Sequence, residues 1–362
     1  MIRVGLVGFG LAGQAFHAPV IRSVDGLHLG CVVSRSGSLA RQKYPAIRVV
    51  RTVEEMLADD EIRLCVIATP NETHFSLAQL CIGAGRHVVV DKPFTVTSTE
   101  AAELIRIADS RRRVLSVFHE RRWDGDFRTV RKLLREGTLG RVVAFESNYD
   151  RYRPAVRENA WRERDEAGSG MLYDLGAHLI DQAMALFGVP DAITADLRVE
   201  RDGARVEDAF DVRFTYARLA VTLRCTMLAV APRPRFRIFG TAGAFVKQSF
   251  DPQEERLRRG EIPGGAGWGE DEEANWGTLY RGGEGGIAGG SGIGMAVTAV
   301  TAEKLRTEPG DYRGFYENVR DAILGGAALE VTGRDGRNAI RAIELAKRSS
   351  VERRTIAWSD AA

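Results

Sequence analysis

The chain has 362 residues, 44% of them apolar and 28% charged, which excludes a disordered or low-complexity protein and leaves room for two domains with cores of their own. A formal charge of +2 offers no general attraction to nucleic acid or an anionic membrane, and no stretch approaches the roughly 18 uninterrupted apolar residues of a membrane span. The four cysteines, Cys31, Cys65, Cys81 and Cys225, lie far apart, mostly in apolar segments and without C-x-x-C spacing, which points to a reducing cytoplasm.

The chain starts "MIRVGLVGFGLAG". Its apolar run is too broken by glycine, and its basic flank too small, for a secretory signal, so it reads as a buried first strand. A helix follows through "GQAFHAPVIRSV", then strand "LHLGCVVS", acidic helix "TVEEMLAD", strand "LCVIATP" and helix "HFSLAQLCIGAG". Strand "HVVVDKP", helix "STEAAELIRIADSRR" and strand "VLSVFHE" complete the series. This is the alternation of repeated βαβ units. The strands are near-continuous apolar runs, as burial on both faces of a parallel sheet requires. Residues 1–122 are therefore expected to form an α/β doubly wound parallel sheet of the dinucleotide-binding kind, with ligands at the carboxyl ends of its strands.

Beyond residue 122 the pattern changes. "RVVAFESNYDRY", "AITADLRVERDG", "DAFDVRFTYARLAVTLRCTMLA" and "RFRIFGTAGAFVKQ" alternate apolar with polar residues, so residues 123–362 read as an α+β domain on an open, mainly antiparallel sheet. The uncovered face of such a sheet needs a partner, and a homodimer or homotetramer through it is expected. The glycine-dense stretch 259–294 reads as a long surface excursion, and "YRGFYENVRDAILGG" and "RDGRNAIRAIELAKRSS" as closing amphipathic helices.

Gly8, Gly10 and Gly13 satisfy the G-x-G-x-x-G spacing around Phe9, Leu11 and Ala12. Glycines also gather in turns that bind nothing, but here the motif follows a strand and opens a helix, the context of a dinucleotide site. The helix N-terminus then offers free N–H groups to phosphates. The second strand ends in Ser34, Arg35 and Ser36 with no carboxylate to accept from an adenosine ribose, which favours NADP over NAD. Arg35 would sit on the 2′-phosphate or stack over the adenine; the alternative is a solvated turn arginine.

Lys92 ends a buried strand before Pro93. Beside an oxidised nicotinamide its proton becomes more acidic, and it can polarise a substrate hydroxyl. In "GSGMLYDLGAHLIDQAMALFGVP" Ser169 can cap a helix, Gly188 and Pro190 can stop it, and Asp174 and His178 share one face. Asp181, three residues on, is placed to orient the imidazole, whose ordinary pKa of about 6.5 suits proton exchange. The other reading of this trio is a satisfied polar group on a buried helix. No metal site is expected, since His119-Glu120 does not continue to H-E-x-x-H and no cysteine lies near His178. A Ser/His/Asp hydrolase would need a G-x-S-x-G elbow that the chain lacks.

The residues "GFGLAGQAFHAP", "ATPNETHFSLAQLCIGAGRHVVVDKPF", "FHERRWDGDF", "YDLGAHLIDQAMALFG", "RIFGTAGAFVK" with "DPQEERL", and "YRGFYENVRDAI" together resemble the Gfo/Idh/MocA oxidoreductases over nearly the whole chain. Within that family they look closest to the NADP-dependent scyllo-inositol dehydrogenase branch. The resemblance implies a catalytic Lys92, Asp174 and His178, with the histidine as proton acceptor. It also implies a cofactor lining from Thr69, Pro70, Asn71, His74 and Asp91, and a substrate pocket edged by Tyr152, Trp161, Arg162 and Tyr173. Two departures stand out: Asp91 replaces the family's usual glutamate before the lysine, and Glu120 precedes the Arg121–Arg122 pair where relatives often have asparagine. The expected activity is hydride transfer between NADP, or NAD, and a secondary alcohol of a cyclic polyol or sugar, an inositol first. The alternatives are a dehydrogenase of another aldose or sugar derivative and a silent NADP-binding regulator.

Overall fold

The computed structural model describes residues 1–156, 163–282 and 300–359. Strands β1 (Ile2–Val7), β2 (Leu27–Val33), β3 (Arg48–Val50), β4 (Ile62–Ile67), β5 (His87–Asp91) and β6 (Leu115–Phe118) form a six-stranded sheet in the order β3-β2-β1-β4-β5-β6. Every pairing in it is parallel. Val4, Leu6, Val32, Cys65, Val66 and Val89 are 0% exposed, the two-sided burial that the continuous apolar runs imply. The three-residue edge strand β3 is too short to show in the sequence pattern.

Helices α1 (Ala18–Arg22), α2 (Ser38–Lys43), α3 (Val53–Leu57), α4 (His74–Gly83) and α5 (Ser98–Ser110) join these strands. Thr97 and Glu100 close a capping box on α5, and Thr52 Oγ1 accepts the Glu55 N–H at the head of α3. Before α1, residues Gly13–His17 form a π-type turn in which Ala18 N–H reaches the Gly13 carbonyl. Pro19, just beyond, has no N–H to continue a regular ladder.

The second half opens with α6 (Gly125–Arg135) and β7 (Val142–Asn148). It continues through α7 (Ala177–Phe187), β8 (Ala192–Arg198), β9 (Ala209–Tyr216), β10 (Leu219–Cys225), β11 (Phe236–Gly240), β12 (Gly243–Lys247) and α8 (Gln253–Arg258). It closes with β13 (Gly277–Gly282), β14 (Val300–Leu305), α9 (Arg313–Ile323), α10 (Gly333–Glu352) and β15 (Ile356–Ala357). Its strands form one nine-stranded sheet, β14-β13-β12-β11-β7-β10-β9-β8-β15, antiparallel except where β7 runs parallel to β10. Phe210, Val212 and Phe214 of β9 and Val221, Leu223 and Cys225 of β10 point to the buried face, while Arg213, Thr215 and Thr222 face outward.

Within the glycine-rich stretch most described residues are exposed, as a surface excursion requires, but parts of it are packed or paired. Trp268 is buried, its Nε1–H donating to Gln253 Oε1 at 3.1 Å, with the Arg256 guanidinium 4.8 Å from its ring centroid. Residues Gly277–Gly282 are a paired strand, and a Cβ on Gly269 would fall 1.8 Å from the Gly310 carbonyl oxygen. At Gly269 and Gly277 the missing side chain permits close approach, whereas Gly260, Gly265, Gly267 and Gly282 have open space around the Cβ position.

The last helices return to the first sheet. Tyr316 and Phe315 of α9 pack on Phe118 at 5.6 and 4.9 Å between ring centroids. Gly336 of α10 lies so near β6 that a Cβ would come within 2.5 Å of Val117, and Glu344 accepts from the Ser98 N–H and hydroxyl at 2.7 and 2.5 Å. Among the described residues no helix is long and apolar enough to cross a membrane, and no group of three or more His, Cys, Asp or Glu side chains is arranged to hold a metal ion.

Candidate active site

The carboxyl ends of β1, β2, β4 and β5 open on a cleft of about 580 Å³, at the point between β1 and β4 where the strand order reverses. Residues 7–12, Val33 to Ser36, Arg51, Ala68 to Pro70 and Asp91 line it. The three motif glycines stand there for different reasons. Gly8 has φ +97°, and a Cβ on it would fall 2.4 Å from the Ala68 carbonyl oxygen; on Gly13 it would fall 2.4 Å from the Gly8 oxygen. At Gly10 nothing beyond its own chain neighbours lies within 4 Å of that position, so the bare main chain faces open space, the arrangement a phosphate-binding turn needs. Over the end of β2, Arg35 and Arg51 reach the cleft beside Ser34 and Ser36, and no carboxylate among the described residues lines that end.

A second cavity of about 230 Å³ adjoins the first, since Leu11, Ala12 and Asp91 line both. The first half supplies its Lys92, Phe118 and Glu120, and the second half supplies Asp174, His178 and the α8 side chains. Lys92 Nζ donates to Asp174 Oδ1 at 2.9 Å and to the Asp174 carbonyl at 2.6 Å, so one ammonium grips the side chain and main chain of the same residue. Asp174 can be held this way because Leu172–Gly176, just before α7, is a second π-type turn, a local widening common at functional sites.

His178 follows that turn, lines the chamber and is 3% exposed, with Nδ1 buried and unpartnered among the described residues. Burial, reinforced by the charges of Lys92 and Arg121, holds the ring well below its ordinary pKa. The ring is thereby held as a neutral imidazole. Burial alone would raise the Asp91 carboxyl, but the His17 ring 3.7 Å away and the neighbouring Lys92 bring it below the usual range. Burial pushes Glu120 up to about 7, with Asp91 adding to the rise and Arg121 and Lys92 opposing it. On the far wall burial would raise Glu254, yet its ion pair with Arg121 brings it down to about 2.

Several expected residues take other places. His74 is fully buried and bridges the Thr69 and Pro93 carbonyls, each 2.9 Å from a ring nitrogen, so it braces the ends of β4 and β5 and does not face the cleft. Asn71 also turns inward, its Nδ2 donating to the Gly168 carbonyl at 2.8 Å; Thr69 and Pro70 do line the cleft. Tyr173 gives its hydroxyl to the Val96 carbonyl at 3.0 Å and lies outside the chamber lining, and Tyr152 is 59% exposed at a bridge to Leu228. Trp161 and Arg162 lie outside the described residues. Asp181 does not orient the imidazole: Arg122 takes both of its oxygens, at 2.9 and 2.6 Å. The Ser169 hydroxyl lies against the Arg164 and Glu166 carbonyls at 2.7 and 2.5 Å, tying the preceding turn instead of capping a helix.

The sequence reading missed Arg51, which follows the unrecognised β3, and the chamber wall of Arg151, Glu254 and Arg258. The motif "DPQEERL" marks where α8 lies, but nothing in its spacing says that it faces residues more than a hundred positions away.

Residues 2–119 match the description "Oxidoreductase family, NAD-binding Rossmann fold" and residues 131–358 match "Oxidoreductase family, C-terminal alpha/beta domain", the two parts of Gfo/Idh/MocA proteins. The chain belongs to the Gfo/Idh/MocA oxidoreductase family. An uncharacterised oxidoreductase of Escherichia coli, YdgJ, is 43% identical to this Gfo/Idh/MocA member over 98% of each chain. A Bacillus subtilis scyllo-inositol 2-dehydrogenase (NADP(+)), IolW, is 37% identical over 98% of this chain and 95% of its own. The solved structure of the Bacillus subtilis oxidoreductase yvaA superposes with a TM-score of 0.91 at 37% identity, covering 98% of both chains. The protein is thus a Gfo/Idh/MocA dehydrogenase with an NAD(P)-binding Rossmann fold.

The glycine geometry separates fold from ligand. Gly10→Ala should leave the melting temperature unchanged while weakening binding of the nicotinamide dinucleotide by about tenfold or more, whereas Gly8→Ala and Gly13→Ala should lower the melting temperature itself; calorimetry and fluorescence titration read the two effects. Glu120 gives a pH signature. Its folded-state value of about 7 exceeds the ordinary 4.5, so the folded form holds the extra proton between these limits and its contribution to stability falls as pH rises through that window. Glu120→Gln removes this loss, so urea unfolding across a pH series should show its advantage over the parent growing across that range and levelling off above it.

Proposed function

We propose that this dehydrogenase moves a hydride between NADP and the secondary alcohol of a cyclic polyol, an inositol first. The observation that carries the reading is the Lys92–Asp174 pair beside a neutral His178, in a chamber that shares Leu11, Ala12 and Asp91 with the nucleotide cleft. Support for the substrate comes from the 37% identity to the Bacillus subtilis NADP-dependent scyllo-inositol dehydrogenase. Support for the nucleotide comes from Arg35 and Arg51 over the end of β2.

In this reading the bound nicotinamide supplies the carbon that accepts the hydride, or donates it in the reverse direction. Lys92, held by Asp174, donates to the substrate oxygen and stabilises the negative charge that develops as the O–H bond breaks. His178 takes the hydroxyl proton, and the carbinol carbon loses its hydrogen with both electrons, leaving a ketone. The dry walls of Phe118, Met171 and Met227 keep solvent off the reacting carbon. Four free, buried thiols suit a reducing compartment, and the reading places the enzyme in the cytoplasm.

Mixing the protein with NADP and then NAD against a panel of inositols and aldoses, and following nicotinamide absorbance, tests the proposal. An inositol with NADP should give the highest kcat/KM. His178→Ala should lower kcat by about 10²–10⁴ with NADP(H) affinity intact, and Arg35→Asp should shift preference toward NAD. Cofactor binding without turnover of any panel member overturns the reading.

The same reading pairs copies of the chain through the outer face of the nine-stranded sheet. There Glu146 joins Arg224 and Arg237 at 3.1 and 2.7 Å, and Phe239 is 41% exposed. Light scattering should give a dimer or tetramer mass at micromolar concentration, and a monomer mass removes this part.

A further inference from the structure

One carboxyl in the chamber plays no part in the chemistry proposed above. Glu120 follows β6, in the short helical turn Glu120–Trp123, and lines the same cavity as Lys92, Asp174 and His178 while only 6% exposed. Its Oε2 is buried with no hydrogen-bond partner among the described residues. The Arg121 Nε stands 3.9 Å from Oε1, beyond hydrogen-bond reach, and the Arg121 Nη atoms are engaged by Asp124 and Glu254. Lys92, another cation in the lining, directs two of its three N–H donors to Asp174.

A buried oxygen left in this state weakens the ligand-free protein unless something arrives to satisfy it. The cavity in front of it, about 230 Å³, has room for one sugar-sized ring. Cations already flank the carboxyl, so an incoming ammonium would meet Lys92 and Arg121, whereas a neutral hydroxyl would not. A hydroxyl also both donates and accepts, and a carboxyl that titrates near neutrality can answer it in either form.

We infer that Glu120 is a specificity-determining residue whose carboxyl binds a second substrate hydroxyl, distinct from the one held by Lys92, so that the enzyme selects polyols over mono-ols. The inference rests on the dehydrogenase reading for the position of the reacting carbon. A site built to pair with a buried hydroxyl discriminates strongly against the analogue that lacks it, because the protein group then stays unsatisfied. The selected substrates are rings with at least two free hydroxyls, one oxidised and one recognised.

The test is a cycle between protein and ligand, run on the NADP-saturated protein with an inositol that it turns over and the complete set of monodeoxy analogues of that inositol. In the parent enzyme one analogue retaining the reacting hydroxyl should lose about 10²-fold or more in kcat/KM. In Glu120→Ala that same analogue and the intact inositol should differ by less than about tenfold, while Glu120→Gln, whose amide still pairs with a hydroxyl, keeps part of the discrimination. NADP(H) affinity should be unchanged in both variants. Equal discrimination in parent and Glu120→Ala overturns the inference. So does a loss of NADP affinity with discrimination unchanged, which would assign Glu120 to the nicotinamide amide instead. Should no inositol be turned over, calorimetric binding of the same ligands to the NADP-loaded protein still decides: a Glu120-dependent preference sustains the inference while the dehydrogenase reading falls, and a preference independent of Glu120 overturns it.

Discussion

The contact between Lys92 and Asp174 joins the two halves of the molecule at the point where their ligands would meet. Lys92 belongs to the end of β5, and Asp174 to the widened turn before α7, and their side chains are 13% and 19% exposed. An ion pair so poorly hydrated persists only with close geometry and additional hydrogen bonds. The second bond, from Nζ to the Asp174 carbonyl, provides that support. Because the grip includes main chain, the pair fixes where the α7 turn sits against the first sheet, and everything carried by α7 is placed with it.

His178 is the chief beneficiary. An imidazole beside an ammonium and a guanidinium, out of water, has every reason to remain unprotonated, and in the proposed reaction the same positive surroundings would stabilise an oxyanion on a bound alcohol. Asp181, which the helical spacing suggested as the partner of this ring, instead anchors Arg122, whose third nitrogen reaches the Glu330 carbonyl at 2.7 Å. That network secures the end of β6 to the segment leading into α10.

Much of the architecture is legible from residue order alone, because burial on two faces writes continuous apolar strands and burial on one face writes alternating ones. Gly8 and Gly13 are readable for a similar reason, since a turn and a close helix contact exclude a side chain, while Gly10 faces open space. The three-residue β3 carries no periodicity, and with it Arg51 escapes notice. His74, Asn71, Tyr152 and Tyr173 lie in segments that border the two cavities, yet spacing does not say which side of a loop a side chain takes. The directions of His74, Asn71 and Tyr173 are set by carbonyls at Pro93, Gly168 and Val96 that only the folded chain brings within reach.

The far wall of the chamber comes from α8, where Glu254 meets Arg121, Arg258 pairs with Glu254 at 2.8 Å, and the Arg258 guanidinium stands 5.5 Å from the Phe16 ring centroid. None of the groups that would move the proton or hold the nucleotide phosphates resides on that helix. A lineage carrying this framework can therefore remodel which molecules fit by editing a six-residue segment and its arginine contacts, leaving the apparatus for electron transfer as inherited.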